Sequence, residues 1–401
     1  MKQLNCNFIR NKKACALFAM SAVFSAMTVV GAPAQTFQAR SFDGADGSYS
    51  WAQLIQTSNG NFYGTTQNGG SGTCPAGCGT IFEVTPTGKE TVFSFDGTNG
   101  SGPFGGLIQG SDGNFYGQTS HGGNATCLNG CGTVFKITPA GQLTTLHNFD
   151  YTDGADGTGA LVQATDGNLY GTTELGGAFG SGVIFKITTS GTFSVFYTFT
   201  GGADGAAPVA GMIQATDGNL YGTTWGYGYN NLNQGTVFKI SLTGTLTTLH
   251  SFQLTDGALP FAPVYQAKDG NFYGTTEEGG TFNYGTVFSM TPSGAVTTLH
   301  SFAGGTDGDT PISPLIEATD GNFYGTASYD GKYPNFGTVY RITASGTLTT
   351  IHNFNSTEGS YPYGGLIQAK NRVLYGVTFA GGSSTACNFG CGVIYSLTAG
   401  K

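Results

Sequence analysis

A Tyr-Gly pair recurs seven times along the chain, at Tyr63-Gly64, Tyr116-Gly117, Tyr170-Gly171, Tyr221-Gly222, Tyr273-Gly274, Tyr324-Gly325 and Tyr375-Gly376, with successive spacings of 53, 54, 51, 52, 51 and 51 residues. Repeats of this length, with short apolar runs between glycine-rich turns, exclude a single conventional core. Each unit must bury its apolar faces against its neighbours. The fifth unit displays the pattern. Val264-Tyr265-Gln266 reads as a short strand, Lys268-Asp269-Gly270-Asn271 as an Asp-Gly hairpin turn, and Phe272 to Thr276 as a second strand. After a longer loop containing Gly279-Gly280, Gly285 to Met290 forms a third strand, Pro292-Ser293-Gly294 a turn, and Val296 to Phe302 a fourth strand. Four antiparallel strands per unit, repeated seven times, predict an all-β, seven-bladed β-propeller.

The ends of the chain support ring closure. The seventh unit stops after its third strand, Gly392 to Leu397, while an orphan copy of the fourth strand stands at Thr36 to Phe42. This N-terminal strand is expected to complete the last blade and leave no open edge. With it outermost, blades run from inner to outer strand. The second-to-third loops and the blade-to-blade loops then share one face, and their greater length and variability mark it as the functional face.

Ahead of this strand, Lys2, Arg10, Lys12 and Lys13 precede an apolar stretch, Ala14 to Val30, and the small-residue site Ala32-Pro33-Ala34. This is the pattern of an export signal over residues 1–34, which leaves 35–401 as a single propeller domain. The protein is expected outside the cytoplasm of a bacterium, secreted or periplasmic, with no membrane span once the signal is removed. Losing four of the 15 basic residues leaves eleven against 23 acidic ones, a net charge of −12. So acidic a chain is unsuited to nucleic acid. Only 9% of residues are charged, and Gly, Thr, Ser and Asn keep the surface polar instead.

The motifs D-G-N-[FL]-Y-G-T-T, G-G, G-T-V-F-K-I-T and L-T-T-L-H-x-F resemble those of the GloVer tandem-repeat family of exported bacterial proteins. The resemblance covers residues 35–401 nearly end to end. It implies blade structure and carries no catalytic residues to this chain. Asn371-Arg372-Val373 departs from the pattern where other repeats have Asp-Gly-Asn.

Rings of identical residues read as scaffold. The tyrosines are expected to pack between blades while the glycines relieve crowding. Gln56, Gln109, Gln163, Gln214, Gln266, Glu317 and Gln368 are expected to satisfy backbone groups of the next blade. His147, His250, His300 and His352 lie on outer strands that diverge, so they cannot converge on a metal. Asp46, Asp153, Asp204, Asp256, Asp307 and Glu358 sit in blade-to-blade loops. They read as turn-stabilising carboxylates, with a Ca²⁺ ring near the channel mouth as the open alternative. No other cofactor is expected.

Function is expected where the repeats differ. Cys74/Cys78, Cys127/Cys131 and Cys387/Cys391 lie in second-to-third loops of neighbouring blades and read as local disulfides, with zinc shared between loops as the alternative. On the opposite arc, Trp225, Tyr227, Tyr229, Asn230, Tyr284, Tyr329 and Tyr333 suit sugar recognition, rings covering the apolar face of a pyranose while amides bond its hydroxyls. Phe179, Phe282 and Phe389 share one offset and read as a packing slot. His121 is an isolated candidate acid or base. No G-x-S-x-G, H-E-x-x-H or phosphate loop is visible. The sequence thus favours a monomeric module that binds a polysaccharide or a cell-surface protein, over a polysaccharide lyase or hydrolase, or a structural assembly protein.

Overall fold

The computed structural model describes residues 36–85, 88, 90–124, 126–226, 234–332 and 336–398. These form seven four-stranded antiparallel sheets, and the only helical element among them is a single 3-10 turn at Gly305–Asp307. In the fifth blade the strands are Tyr265–Gln266, Phe272–Thr276, Thr286–Met290 and Val296–Ser301, in that spatial order. The seventh blade takes its outermost strand from the N-terminal side. Phe37–Ser41 pairs antiparallel with Val393–Leu397, from Phe37 opposite Leu397 to Ser41 opposite Val393. The seven-bladed ring closed by an N-terminal strand is therefore the observed fold.

The core consists of seven interfaces between blades. Tyr221, Val237 and Phe252 of blade four, for example, pack against Val264, Phe272, Phe288 and Met290 of blade five. The repeated tyrosine packs on the first residue of the following blade's second strand, a phenylalanine at four junctions, as in Tyr273–Phe323 at 4.0 Å between ring centroids, and a leucine at three. In blades two to six its hydroxyl donates to the turn aspartate of its own blade, at 2.8 Å for Tyr170 to Asp166. The next residue must be glycine. A Cβ at Gly171 would overlap the Phe185 ring and Leu161.

Polar clasps join the blades at two levels. The first threonine of each Y-G-T-T segment donates into the backbone of the next blade. Thr65 Oγ1 bonds Gly105 O at 3.1 Å, Thr172 bonds Ala210 O at 2.8 Å and Thr275 bonds Ser313 O at 3.0 Å. At the second level the inner glutamines accept a backbone N–H, but from the preceding blade rather than the next one. Thr216 N donates to Gln266 Oε1 at 2.8 Å, and Lys370 N to Gln56 Oε1 at 3.2 Å closes the circle.

Two blades break the core pattern chemically. The third-strand phenylalanine of other blades is replaced by Tyr340 and Tyr395, both fully buried with hydroxyls that find no partner among the described residues. A buried hydroxyl without a partner costs free energy that a phenyl ring does not. Tyr340→Phe and Tyr395→Phe are each expected to stabilise the protein by about 1 kcal/mol, nearly additively. The check is a higher urea midpoint with an unchanged slope.

The closing strand adds a pH dependence. His352 stacks on Phe37 at 4.1 Å, and burial pushes its pKa down to about 4. The folded imidazole therefore stays neutral where an unfolded one, near about 6.5, takes up a proton. Stability from this group is lost as pH falls from about 6.5 to about 4. Glu358, 3.6 Å from His352 Nε2 and pushed upward by burial, acts in the opposite sense over its own range. In urea melts across that window, His352→Phe should flatten the loss on the acid side.

Candidate functional site

The threonine clasps draw neighbouring backbones so close that the channel has a waist of small residues. Ala52, Gly105, Gly159, Ala210, Ala262, Ser313 and Gly364 occupy one equivalent position in the seven blades. A Cβ at Gly105 would overlap Gly159 O, and one at Gly159 would overlap Gly211 N. Above the waist, on the face of the long loops, the blade-to-blade segments turn into the channel. There each blade places one residue in the left-handed region, Tyr49, Gly102, Asp156, Ala207, Leu259, Thr310 and Tyr361, at φ between 52° and 61°. Six of the seven carry side chains in a conformation that such residues seldom adopt. Hydrogen bonds from the preceding blade hold them there. The N–H groups of Tyr49, Gly102 and Asp156 donate to the carbonyls of Cys391, Cys78 and Cys131, at 3.2, 2.9 and 3.2 Å.

These acceptors explain the cysteines. Cys74–Cys78, Cys127–Cys131 and Cys387–Cys391 are disulfides, and each fixes the short turn whose carbonyl anchors the next blade's mouth residue. A four-residue loop gains little chain entropy from a cross-link. The effect of these bonds is therefore on the positions of Tyr49, Gly102 and Asp156.

Two further tiers line the mouth. Five residues before each inner Gln or Glu stand Trp51, Phe104, Thr158, Val209, Phe261, Ile312 and Tyr363. Trp51 stacks between Tyr363 at 4.1 Å and Phe104 at 4.5 Å, which makes an aromatic fan across blades seven, one and two. Immediately after each second strand stand Gln67, Ser120, Glu174, Trp225, Glu277, Ser328 and Phe379. Trp225 Nε1 donates to Glu277 Oε2 at 2.8 Å, and its ring meets Phe261 edge-on. Tyr329 shares a 2.9 Å hydrogen bond with Tyr363 through their hydroxyls.

The mouth is acidic. Burial pushes the Glu174 carboxyl above its usual range, and the charge of Asp156 adds to this. Glu277 is also raised by burial, against the hydrogen bond from Trp225. Asp156 is raised by burial and pulled back by His121, whose Nε2 lies 3.9 Å from Asp156 Oδ1. His121 and Asp156 border two hollows at once. One, of about 360 Å³, opens over the channel between Trp51, Phe104, Glu174, Trp225 and Phe261. The other, of about 310 Å³, runs outward between Leu128, the Cys127–Cys131 bridge, Tyr151 and Leu175. Among the described lining residues of both hollows there is no lysine or arginine.

The expected site residues divide accordingly. Trp225 and Tyr329 converge on the mouth. Trp225 holds a position that every blade fills, with Gln67, Ser120, Glu174, Glu277, Ser328 and Phe379 as its counterparts. Tyr284 lies on the outer rim, half exposed, beside Gly304. Tyr227, Tyr229, Asn230 and Tyr333 lie outside the described residues. The expected packing slot is not one: Phe179, Phe282 and Phe389 are 59%, 55% and 90% exposed at loop tips.

The loop carboxylates sit beside the outer strands rather than around the channel, because each binds a side chain of its own blade. Asp153 meets His147 at 2.8 Å, Asp256 meets His250 at 3.0 Å, Asp307 meets His300 at 3.1 Å and Glu358 meets His352 at 3.6 Å. In two further blades Asp46 pairs with Arg40 and Asp204 accepts from Tyr197, and in the remaining blade Asn99 takes the position and accepts from Asp96 N. The residues that sequence reasoning missed are Trp51, Phe104, Asp156, Glu174, Phe261, Glu277 and Tyr363. Their signal was variability at fixed offsets, seven and five before the inner Gln and one after the Y-G-T-T segment.

Residues 18–234 and 217–401 match the profile of the Gloeobacter/Verrucomicrobia repeat. No curated protein matches the sequence. Similar solved structures include a streptogramin B lyase, at 16% identity and a TM-score of 0.60, over 90% of this chain and 97% of that one. A catalytically inactive virginiamycin B lyase from Staphylococcus aureus with quinupristin has 15% identity and a TM-score of 0.61, over 91% and 99%. A putative 6-phosphogluconolactonase from Bacteroides uniformis has 16% identity and a TM-score of 0.52, over 77% and 87%. At these identities the likeness establishes the shared fold.

A buried carboxylate held for binding costs folding stability when it is ionised. Glu174→Gln is therefore expected to stabilise the protein at pH 7. The gain should vanish toward pH 4, where the raised Glu174 carboxyl takes up its proton in the folded state first. Urea melts of both proteins at the two pH values measure this.

Proposed function

The chain belongs to the Gloeobacter/Verrucomicrobia repeat family, and for this member we propose an exported binding module that seats a saccharide chain in the mouth of the propeller. The observation that carries the reading is the gathering of aromatic and acidic side chains around two hollows that share Trp51, Trp225 and Phe261, one completed by Phe104 and Glu174 and the other by Glu277, Tyr329 and Tyr363. Aromatic edges and faces offer apolar contact to pyranose C–H groups, and carboxylates accept hydrogen bonds from hydroxyls or amines. The outward hollow beside Leu128 and Tyr151 extends the groove beyond a single sugar.

Charge narrows the class. A groove with buried carboxylates and no described cation repels uronates and sulfated sugars and accepts neutral or amino sugars. Export agrees with three disulfides and with the finding that no described helix is long and apolar enough to cross a membrane.

The test is a glycan array probed with the wild-type protein and with Trp225→Ala. Neutral or amino-bearing glycans should bind, and the substitution should weaken binding by about tenfold or more. Binding confined to acidic glycans, or unchanged by Trp225→Ala, would remove the mouth from the account. Binding to no glycan would turn the reading toward a cell-surface protein.

A further inference from the structure

We propose that the junction of the two hollows is a catalytic centre that hydrolyses a glycosidic bond in a chain of neutral or amino sugars, with Glu174 as proton donor and His121 as base. The inference rests on the saccharide reading of the groove and adds a reaction to it. Its starting point is placement. His121 and Asp156 border both the central and the outward hollow, and the proposal places an internal linkage of a bound chain at this shared pair.

Local hydrogen bonds orient the base. Ser120 Oγ lies 2.7 Å from His121 Nδ1 and 3.0 Å from Gly102 O, which also accepts the Ser120 N–H. With the hydroxyl proton on Gly102 O, Oγ accepts from Nδ1–H and the neutral imidazole presents the Nε2 lone pair, the tautomer the proposed reaction uses. Nε2 is 3.9 Å from Asp156 Oδ1, too long for a direct hydrogen bond. This is the span that a water oxygen bridges when it bonds to both groups. Asp156 cannot drift, because its backbone N–H is tied to Cys131 O in the disulfide-held turn. Glu174 joins it through its own N–H, which donates to Asp156 O at 3.0 Å.

The acid is set by environment. Burial and the neighbouring Asp156 charge favour the protonated form of Glu174, the form a proton donor needs. The reaction then balances. The C1–O bond breaks with its electron pair on the leaving oxygen, which takes the proton of Glu174. The water oxygen forms the new bond to C1, and its proton passes to His121 Nε2, where Asp156 stabilises the imidazolium. Proton return from His121 to Glu174 through solvent restores both groups. The net change is glycoside plus water to two hydroxyl-bearing products.

The experiment uses the purified protein with hexamers of β-1,4-linked glucose, xylose, N-acetylglucosamine and glucosamine, and with oligogalacturonate as the acidic control. Binding is followed by calorimetry and cleavage by mass spectrometry in ¹⁸O-water. A neutral or amino hexamer should bind and be shortened, with one ¹⁸O atom in each new reducing end. Glu174→Gln and His121→Gln should each lower the cleavage rate at saturating hexamer by about 100-fold or more, a loss that weaker binding cannot produce. Because Glu174→Gln is expected to fold more stably than the wild type, lost cleavage in that variant is not lost folding. Binding without new reducing ends, products of elimination without ¹⁸O, or full cleavage by either variant would overturn the inference and leave the binding reading intact. Failure of every hexamer to bind would overturn both.

Discussion

The hydrogen bond from each second-strand threonine into the backbone of the next blade is the constraint on which the rest of the architecture depends. It holds only where the neighbouring backbone can come close, so the residues facing it are Gly, Ala or Ser at almost every junction. The exceptions mark where the rule is bent. Gln118 replaces the threonine between blades two and three and reaches Gly159 O through Nε2, and Gln53 Nε2 bonding Leu366 O serves where Val377 has no donor. The close approach narrows the channel to a waist. A hollow of about 290 Å³ runs along the channel past these residues, from Trp51, Phe104 and Tyr363 to Ile55, Ile108 and Ile213.

Chemical character is then decided by the loops that turn over the waist. Left-handed backbone in every blade aims the following residues inward, and the disulfides fix three of the carbonyls that hold it. The disulfides therefore act at a distance of one blade, on the residues of the neighbouring mouth segment. Asp156 is the clearest case, anchored to Cys131 and facing His121. The carboxylates at the mouth sit where burial opposes their charge, whereas the outer-strand carboxylates sit beside histidine, arginine or tyrosine partners and close turns.

Much of the fold was legible in the sequence because each blade makes the same physical demands. Tyr63 and its repeats must fill an interface, the following glycine must clear an aromatic ring, and Phe37–Ser41 must pair with Val393–Leu397 because that edge is otherwise open. The pairing of His147 with Asp153 is not legible in the sequence, because it joins a strand residue to a loop residue whose return path local pattern does not specify. The mouth was legible only in part. Trp225 stood out as a rare residue, but Trp51, Glu174 and Tyr363 hold positions whose identity changes from blade to blade, and their convergence follows from ring closure rather than from any local pattern. Phe389 and Phe179 show the converse, since a shared offset suggested packing and the side chains point to solvent.

The central claim is that a ligand occupies the mouth above the waist. The chain has two tryptophans, Trp51 and Trp225, and both line that mouth. Intrinsic tryptophan fluorescence therefore reports on the site without a label. Titration with a bound saccharide should shift or quench the emission along the same isotherm that calorimetry gives. Saturable binding that leaves the emission of both tryptophans unchanged would place the ligand elsewhere and contradict the account.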